Sequence, residues 1–123
     1  MQEDSTIATV HAYYETFRHG GAAFDSARLL ELLAPDVLFE APLVGRRVGA
    51  AALAPGVERF AKSVTAFRLI QELCVGRDMA VLYDCELTRP EGAHRFAEFF
   101  RVDNGCITEL RLLFDATEYR KLA

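Results

Sequence analysis

Glu98 falls in an alternating row, Phe96, Glu98, Phe100 and Val102, in which every other member is apolar. If the segment is extended, period two places all four on one face. An ionised carboxylate is costly to bury there, so Glu98 must either be protonated with a raised pKa or be paired. The first state makes it a proton-transfer group poised near neutral pH. The second makes it half of a structural ion pair with an arginine, or part of a face turned to a subunit interface. Tyr13 and Tyr14 are the natural companions, because neighbours on a helix point about 100° apart and can do different jobs. Tyr14 fits the apolar stripe of its helix. Tyr13 lies at the border, where a ring can pack while its hydroxyl reaches a ligand. The catalytic candidates are therefore Glu98, as proton donor or acceptor, and Tyr13. Tyr14, Phe17, Phe39, Glu40, Phe60, Tyr83, Phe96, Phe100, Leu112 and Phe114 are expected to line the binding pocket of a small hydrophobic molecule.

The remaining candidates carry less. Glu40, Asp84 and Asp115 reach a cavity only if their strands slip by one residue, and alternation sends Asp84 and Asp115 to the outer face. Arg46 and Arg47, in a turn bracketed by Gly45 and Gly49, border a pocket mouth where they would attract an anionic group. His11 and His94 are isolated, and His19 is a favourable charge at a helix end. None has a metal-ligand companion at useful spacing, so no metal and no cofactor are expected. Cys74, Cys85 and Cys106 are odd in number and lack CxxC spacing, which reads as small buried hydrophobes in a reducing cytoplasm.

These residues need a scaffold, and 123 residues suffice for one core, hence one domain over 1–123. Fourteen basic against eighteen acidic residues give a net charge of −4. With no basic block this disfavours nucleic acid and anionic membranes as partners. The acidic start, Met1-Gln2-Glu3-Asp4-Ser5, does not read as a signal peptide, and no apolar run reaches spanning length.

Along the chain, Ile7, Val10, Tyr14 and Phe17 mark a helix over Ser5 to His19, capped by Asp4 or Ser5 and ended by Gly20-Gly21. A second helix runs from Asp25 or Ser26 to Pro35, followed by a strand from Val37 to Ala41. Leu53, Val57, Phe60 and Val64 mark a third helix, whose regular part is expected to begin near Ala54 because Pro55 is tolerated only in a first turn. From Thr65 the period becomes two: Thr65 to Val75, Met79 to Thr88, His94 to Val102 and Cys106 to Asp115 read as strands. The last pair turns at Asp103-Asn104-Gly105. In the final strand Ile107 and Leu113 fall on the outer row. Helices covering one face of such a sheet give an α+β fold.

Three stretches carry a family resemblance: Val10-His11-Ala12-Tyr13-Tyr14-Glu15-Thr16-Phe17 before a glycine pair; Leu33-Ala34-Pro35-Asp36-Val37-Leu38-Phe39-Glu40-Ala41-Pro42; and Glu98-Phe99-Phe100-Arg101-Val102 through Gly105-Cys106-Ile107-Thr108-Glu109 to Phe114-Asp115. Together they resemble SnoaL-like proteins of the nuclear transport factor 2-like superfamily. The resemblance implies a cone of three helices on a strongly curved antiparallel sheet enclosing an apolar pocket, and a homodimer through the outer sheet face. It implies no single activity, because the superfamily hosts isomerases, cyclases, hydrolases and noncatalytic proteins. Ketosteroid isomerases combine an aspartate base with a tyrosine and a protonated aspartic acid. Tyr13 matches that tyrosine and Glu98 the donor acid, whereas the base position falls on Ala41, beside Glu40. Limonene-type epoxide hydrolases use two aspartates bridged by an arginine; Arg95, Glu98 and Arg101 here come without a matching aspartate pair. Two classes therefore stand: an acid/base enzyme without a cofactor, acting on a cyclic or carbonyl-containing molecule, and a noncatalytic ligand-binding or dimeric domain.

Overall fold

The computed structural model describes residues 2–122. Helix α1 spans Gln2–Glu15, and a single 3-10 turn at Gly21–Ala23 leads to α2, Ser26–Leu32. Strands β1 (Leu33–Ala41) and β2 (Gly45–Val48) precede α3 (Ala50–Ser63). Strands β3 (Val64–Val75), β4 (Asp78–Thr88), β5 (Glu91–Asp103) and β6 (Cys106–Phe114) follow, and a short α4 occupies Thr117–Arg120. All six strands form one sheet in the order β2-β1-β6-β5-β4-β3. Its pairings are antiparallel except β1 with β6, which run parallel, with Leu38 opposite Glu109 and Phe39 opposite Leu110. The sheet is therefore mixed.

Alternation works as expected on β4, where Met79, Val81, Tyr83, Cys85 and Leu87 are all buried. They meet Val10, Tyr13, Tyr14 and Phe17 of the α1 segment and Leu53, Val57 and Ala61 of α3 in one core. Helix α1 is pinned to the β3–β4 turn at its start: Thr6 Oγ1 donates to the Gly76 carbonyl at 2.8 Å, and the Gly76 N–H donates to Glu3 at 2.9 Å. That anchor sets the axial position of the tyrosines two turns later. Asp25 caps α2 by accepting from the Arg28 N–H. Asn104 and Gly105 both have positive φ, 51° and 74°, the geometry of a tight hairpin turn joining Asp103 to its partner Cys106.

Several expectations are corrected. Helix α1 starts at Gln2, so Asp4 and Ser5 lie inside its first turn rather than at a cap, and regular helix stops at Glu15. Arg46 and Arg47 are strand residues, paired with β1 as Glu40 to Arg46 and Phe39 to Arg47. Pro55 sits inside α3, which begins four residues before Ala54 at Ala50. Pro55 and Ala51, whose carbonyl loses its donor, are both exposed, so water can take the missing bond. Ile107 is fully buried instead of outward. A register shift skips Thr108, with Arg101 opposite Glu109 and Val102 opposite Ile107, and this bulge turns Ile107 inward. Cys74 and Cys106 are only half-buried, while Cys85 is buried. No helix among the described residues is long and apolar enough to cross a membrane.

Candidate active site

Between the concave face of the sheet and α3 lies a cavity of about 370 Å³. Phe39 of β1, Tyr83 of β4, Phe96 and Glu98 of β5, and Leu110, Leu112 and Phe114 of β6 form its sheet wall. Tyr13 and Phe17 close one end, and Leu53, Gly56, Val57 and Phe60 of α3 form the roof. Arg47, Arg59 and Tyr119 also border it.

Glu98 is 2% exposed and is the single acidic side chain among the described residues' buried polar groups. Strand alternation aims it inward between Phe96 and Phe100, as its spacing requires. No arginine meets it. Its Oε1 instead accepts two hydroxyl donors, Tyr14 at 2.7 Å and Tyr83 at 3.0 Å. Burial raises its pKa and the two tyrosine bonds, which favour the anion, lower it; burial wins and the carboxyl titrates at about 7. Among the described residues Oε2 has no hydrogen-bond partner, leaving it to the cavity that Glu98 lines. Burial, reinforced by the charge of Glu98, pushes the hydroxyls of Tyr13, Tyr14 and Tyr83 well above the usual phenol range, so all three stay protonated donors.

One tyrosine does more than expected. Tyr14, read as core, is the residue that grips the acid. Tyr13 faces the cavity, and among the described residues its hydroxyl makes no hydrogen bond. Tyr83, expected only as lining, is the second grip. Its ring is sandwiched between Phe67 and Phe96, with centroids at 5.0 and 5.3 Å and near-parallel planes. This fixes the hydroxyl's aim.

Among the expected binding residues, Phe17, Phe39, Glu40, Phe60, Tyr83, Phe96, Leu112 and Phe114 border the cavity. Tyr14 and Phe100 do not: their rings pack on each other at 5.8 Å, behind the cavity wall, because α1 crosses the sheet there. Glu40 reaches the rim, but its carboxylate bonds Arg111 at 3.2 Å on the outer side of the sheet. Asp84 pairs with Arg95 outside, and Asp115 accepts from the Thr117 N–H and hydroxyl at the start of α4. His11, His19 and His94 bond Glu72, Glu15 and the Pro90 carbonyl. Among the described residues no group of three His, Cys, Asp or Glu is placed to hold a metal ion. Sequence reasoning missed Tyr119, whose hydroxyl is buried without a partner among the described residues and whose pKa burial pushes up to about 12. Its only sequence signal is a lone aromatic after the last strand. Arg59, equally missed, stands beside the helical apolar stripe of Val57 and Phe60.

The helix-roofed, curved mixed sheet around an apolar cavity has the nuclear transport factor 2-like fold. The SnoaL-like domain model matches residues 10–110, and the chain belongs to that family. A proposed ketosteroid isomerase from Kribbella flavida is similar at 21% identity over 93% of this chain and 80% of its own, with a TM-score of 0.76. An LEH-like epoxide hydrolase from M. tuberculosis is similar at 19% identity, covering 98% of this chain and 90% of its own, with a TM-score of 0.75. A nuclear transport factor 2-like protein of unknown function from Cytophaga hutchinsonii matches at 18% identity over 95% and 93%, with a TM-score of 0.71. Likeness at these identities speaks for the fold alone. No curated protein matches the sequence.

Proposed function

We propose that this protein is an acid/base enzyme that moves a proton on a small apolar carbonyl compound, using side chains alone. The observation that carries the reading is Glu98: a cavity-lining carboxyl titrating at about 7, held on one oxygen by two tyrosines while the other oxygen is left for a ligand. At neutral pH about half such groups are ionised, so one group can serve as both acceptor and donor. In the proposed step Oε2 of the anion takes a proton from the carbon beside the substrate carbonyl. The electron pair of that C–H bond moves into the carbon skeleton and the carbonyl becomes an enolate. The Tyr13 hydroxyl donates to the enolate oxygen. Glu98 then returns the proton to that carbon or, where a double bond next to it extends the enolate to a dienolate, to the far end of that double bond. Tyr14 and Tyr83 keep the anionic state accessible and fix the carboxyl's orientation. This arrangement asks one carboxyl to do the work of a separate base, since Ala41 supplies none.

The test is deuterium uptake at the α-carbons of 2-tetralone in D2O, followed by NMR. Catalysed uptake that rises through a midpoint near 7, vanishes in Glu98→Gln and falls roughly a hundredfold in Tyr13→Phe is expected. Uptake no faster than buffer, or unchanged in Glu98→Gln, removes the catalytic reading. The noncatalytic alternative is favoured by one observation, that two tyrosine bonds hold Oε1 as they would hold a structural acid; it predicts ligand binding with no uptake. A hydrolase of the epoxide type gains no support, because Arg95 and Arg101 point outward into ion pairs with Asp84 and Asp78.

We also propose a homodimer through the outer sheet face, where Leu73, Val75, Phe99 and Leu113 are exposed among the ion pairs Arg101–Asp78 and Arg111–Glu40. Ile107 plays no part in it. Light scattering should report about twice the 13.7 kDa chain mass at micromolar concentration, and a lone 13.7 kDa species refutes it.

A further inference from the structure

Two arginines in the cavity wall take no part in the chemistry above. Arg47 lies opposite Phe39 across the β1–β2 pair, and directly opposed residues share a face. Phe39 is turned into the core, so Arg47 stands on the cavity side of β2 and Arg46, opposite Glu40, on the other. Arg59 of α3 borders the same cavity from the roof. Among the described residues neither arginine has a carboxylate at ion-pair distance. Arg47 spends one Nη1 bond, 3.0 Å, on the Arg46 carbonyl and keeps its other donors. On the outer face Arg95, Arg101 and Arg111 are each matched to an acid, whereas Arg46 is not. Glu40, the acid nearest the rim, is engaged by Arg111 and turned away. In a chain of net charge −4, two exposed cations without a carboxylate at ion-pair distance border one apolar hollow.

We propose that the pocket takes an organic anion: an apolar ring body that fills the aromatic interior, with its negative group at the mouth between Arg47 and Arg59 and a neutral oxygen at the Glu98 end. This deepens the reading of the cavity as a ligand site and rests on it. It adds a sign of charge and a direction. Guanidinium forks match carboxylate, sulfonate and phosphate oxygens through paired N–H donors, and a flanking low-dielectric cavity strengthens the attraction relative to open solvent. Placing the anion at the mouth also keeps it away from Glu98, whose ionisation a second negative charge would oppose.

Two fluorescent probes that differ by one anionic group test this: 8-anilinonaphthalene-1-sulfonate and its neutral counterpart N-phenyl-1-naphthylamine, titrated by emission at low salt. The expected result is sulfonate binding about tenfold tighter than the neutral amine. The ratio should fall toward one in Arg47→Gln/Arg59→Gln and shrink with added salt, while the affinity of the neutral probe holds. A wild-type ratio near one, or a ratio kept in the double variant, overturns the anion proposal and leaves the pocket intact. Equal loss of both probes in the double variant overturns it too, by making the arginines props of the pocket wall. Failure of both probes to bind the wild type removes the ligand-site reading itself, and this proposal with it.

Discussion

Replacing Glu98 by Gln keeps size and an acceptor oxygen for Tyr14 and Tyr83 but removes the ionisation. In the folded chain the carboxyl titrates at about 7 rather than at its ordinary 4.5, so between those values the folded state holds a proton that the unfolded state has released. Stability therefore falls as pH rises through that window. The contribution is fully present below 4.5 and lost above about 7. At about 1.4 kcal/mol per pH unit, the loss is roughly 3 kcal/mol, a large part of a small domain's stability. Urea unfolding followed by far-UV circular dichroism at pH 4.5, 6, 7 and 8, on wild type and Glu98→Gln, isolates it, because every other carboxylate cancels in the difference. Wild type should lose about 3 kcal/mol relative to the variant across the series. A carboxyl 13C titration of Glu98 should show its midpoint near 7. A stability difference flat to within about 0.5 kcal/mol, or a midpoint in the ordinary glutamate range, refutes the balance of burial over hydrogen bonding.

Tyr14→Phe and Tyr83→Phe each remove a donor to Glu98, so the carboxyl midpoint should move further up, and each should cost about 1.5–3 kcal/mol at pH 8 but less at pH 5, read by the same unfolding series. Tyr119→Phe removes a buried hydroxyl that has no partner among the described residues, so the melting temperature should hold or rise; a drop comparable to Tyr14→Phe would mean the hydroxyl is satisfied by something else. Gly56 lies inside α3 with nothing within 4 Å of an added Cβ, so Gly56→Ala should stabilise by about 0.5–1 kcal/mol in urea. Gly56→Phe should exclude both naphthyl probes from the cavity it borders, and unaltered binding would place them elsewhere.

The sheet and the buried acid were legible because they follow from period two alone. Phe96, Glu98, Phe100 and Val102 needed only an extended backbone to share a face, and β4 behaved identically. What failed depended on events between strands. One residue skipped at Thr108 reversed Ile107, and no pattern within β6 announces such a bulge. Gly45 to Val48 is too short and too exposed to carry an alternation, and it becomes a strand because β1 offers it an edge. The grip of Tyr14 on Glu98 has a similar cause: Tyr13 and Tyr14 are both buried, and the way α1 crosses the sheet decides which hydroxyl meets the acid. That crossing follows from tertiary anchors such as Thr6 to Gly76, seventy positions apart in sequence.

The parallel seam between β1 and β6 also governs the order in which this molecule can be made. As the polypeptide leaves the ribosome, β3, β4 and β5 can zip together as neighbours, but β1 must wait for the final strand before its backbone finds a partner beyond β2. Phe39, Arg47 and the helix roof they belong with are consequently loose until the last segment has emerged. A nascent chain that ends at Asp103 lacks Leu110, Leu112 and Phe114, and with them one wall of the cavity. Until β6 emerges the growing protein thus carries an unsheltered greasy surface, a window in which chaperone capture or clumping competes with closure.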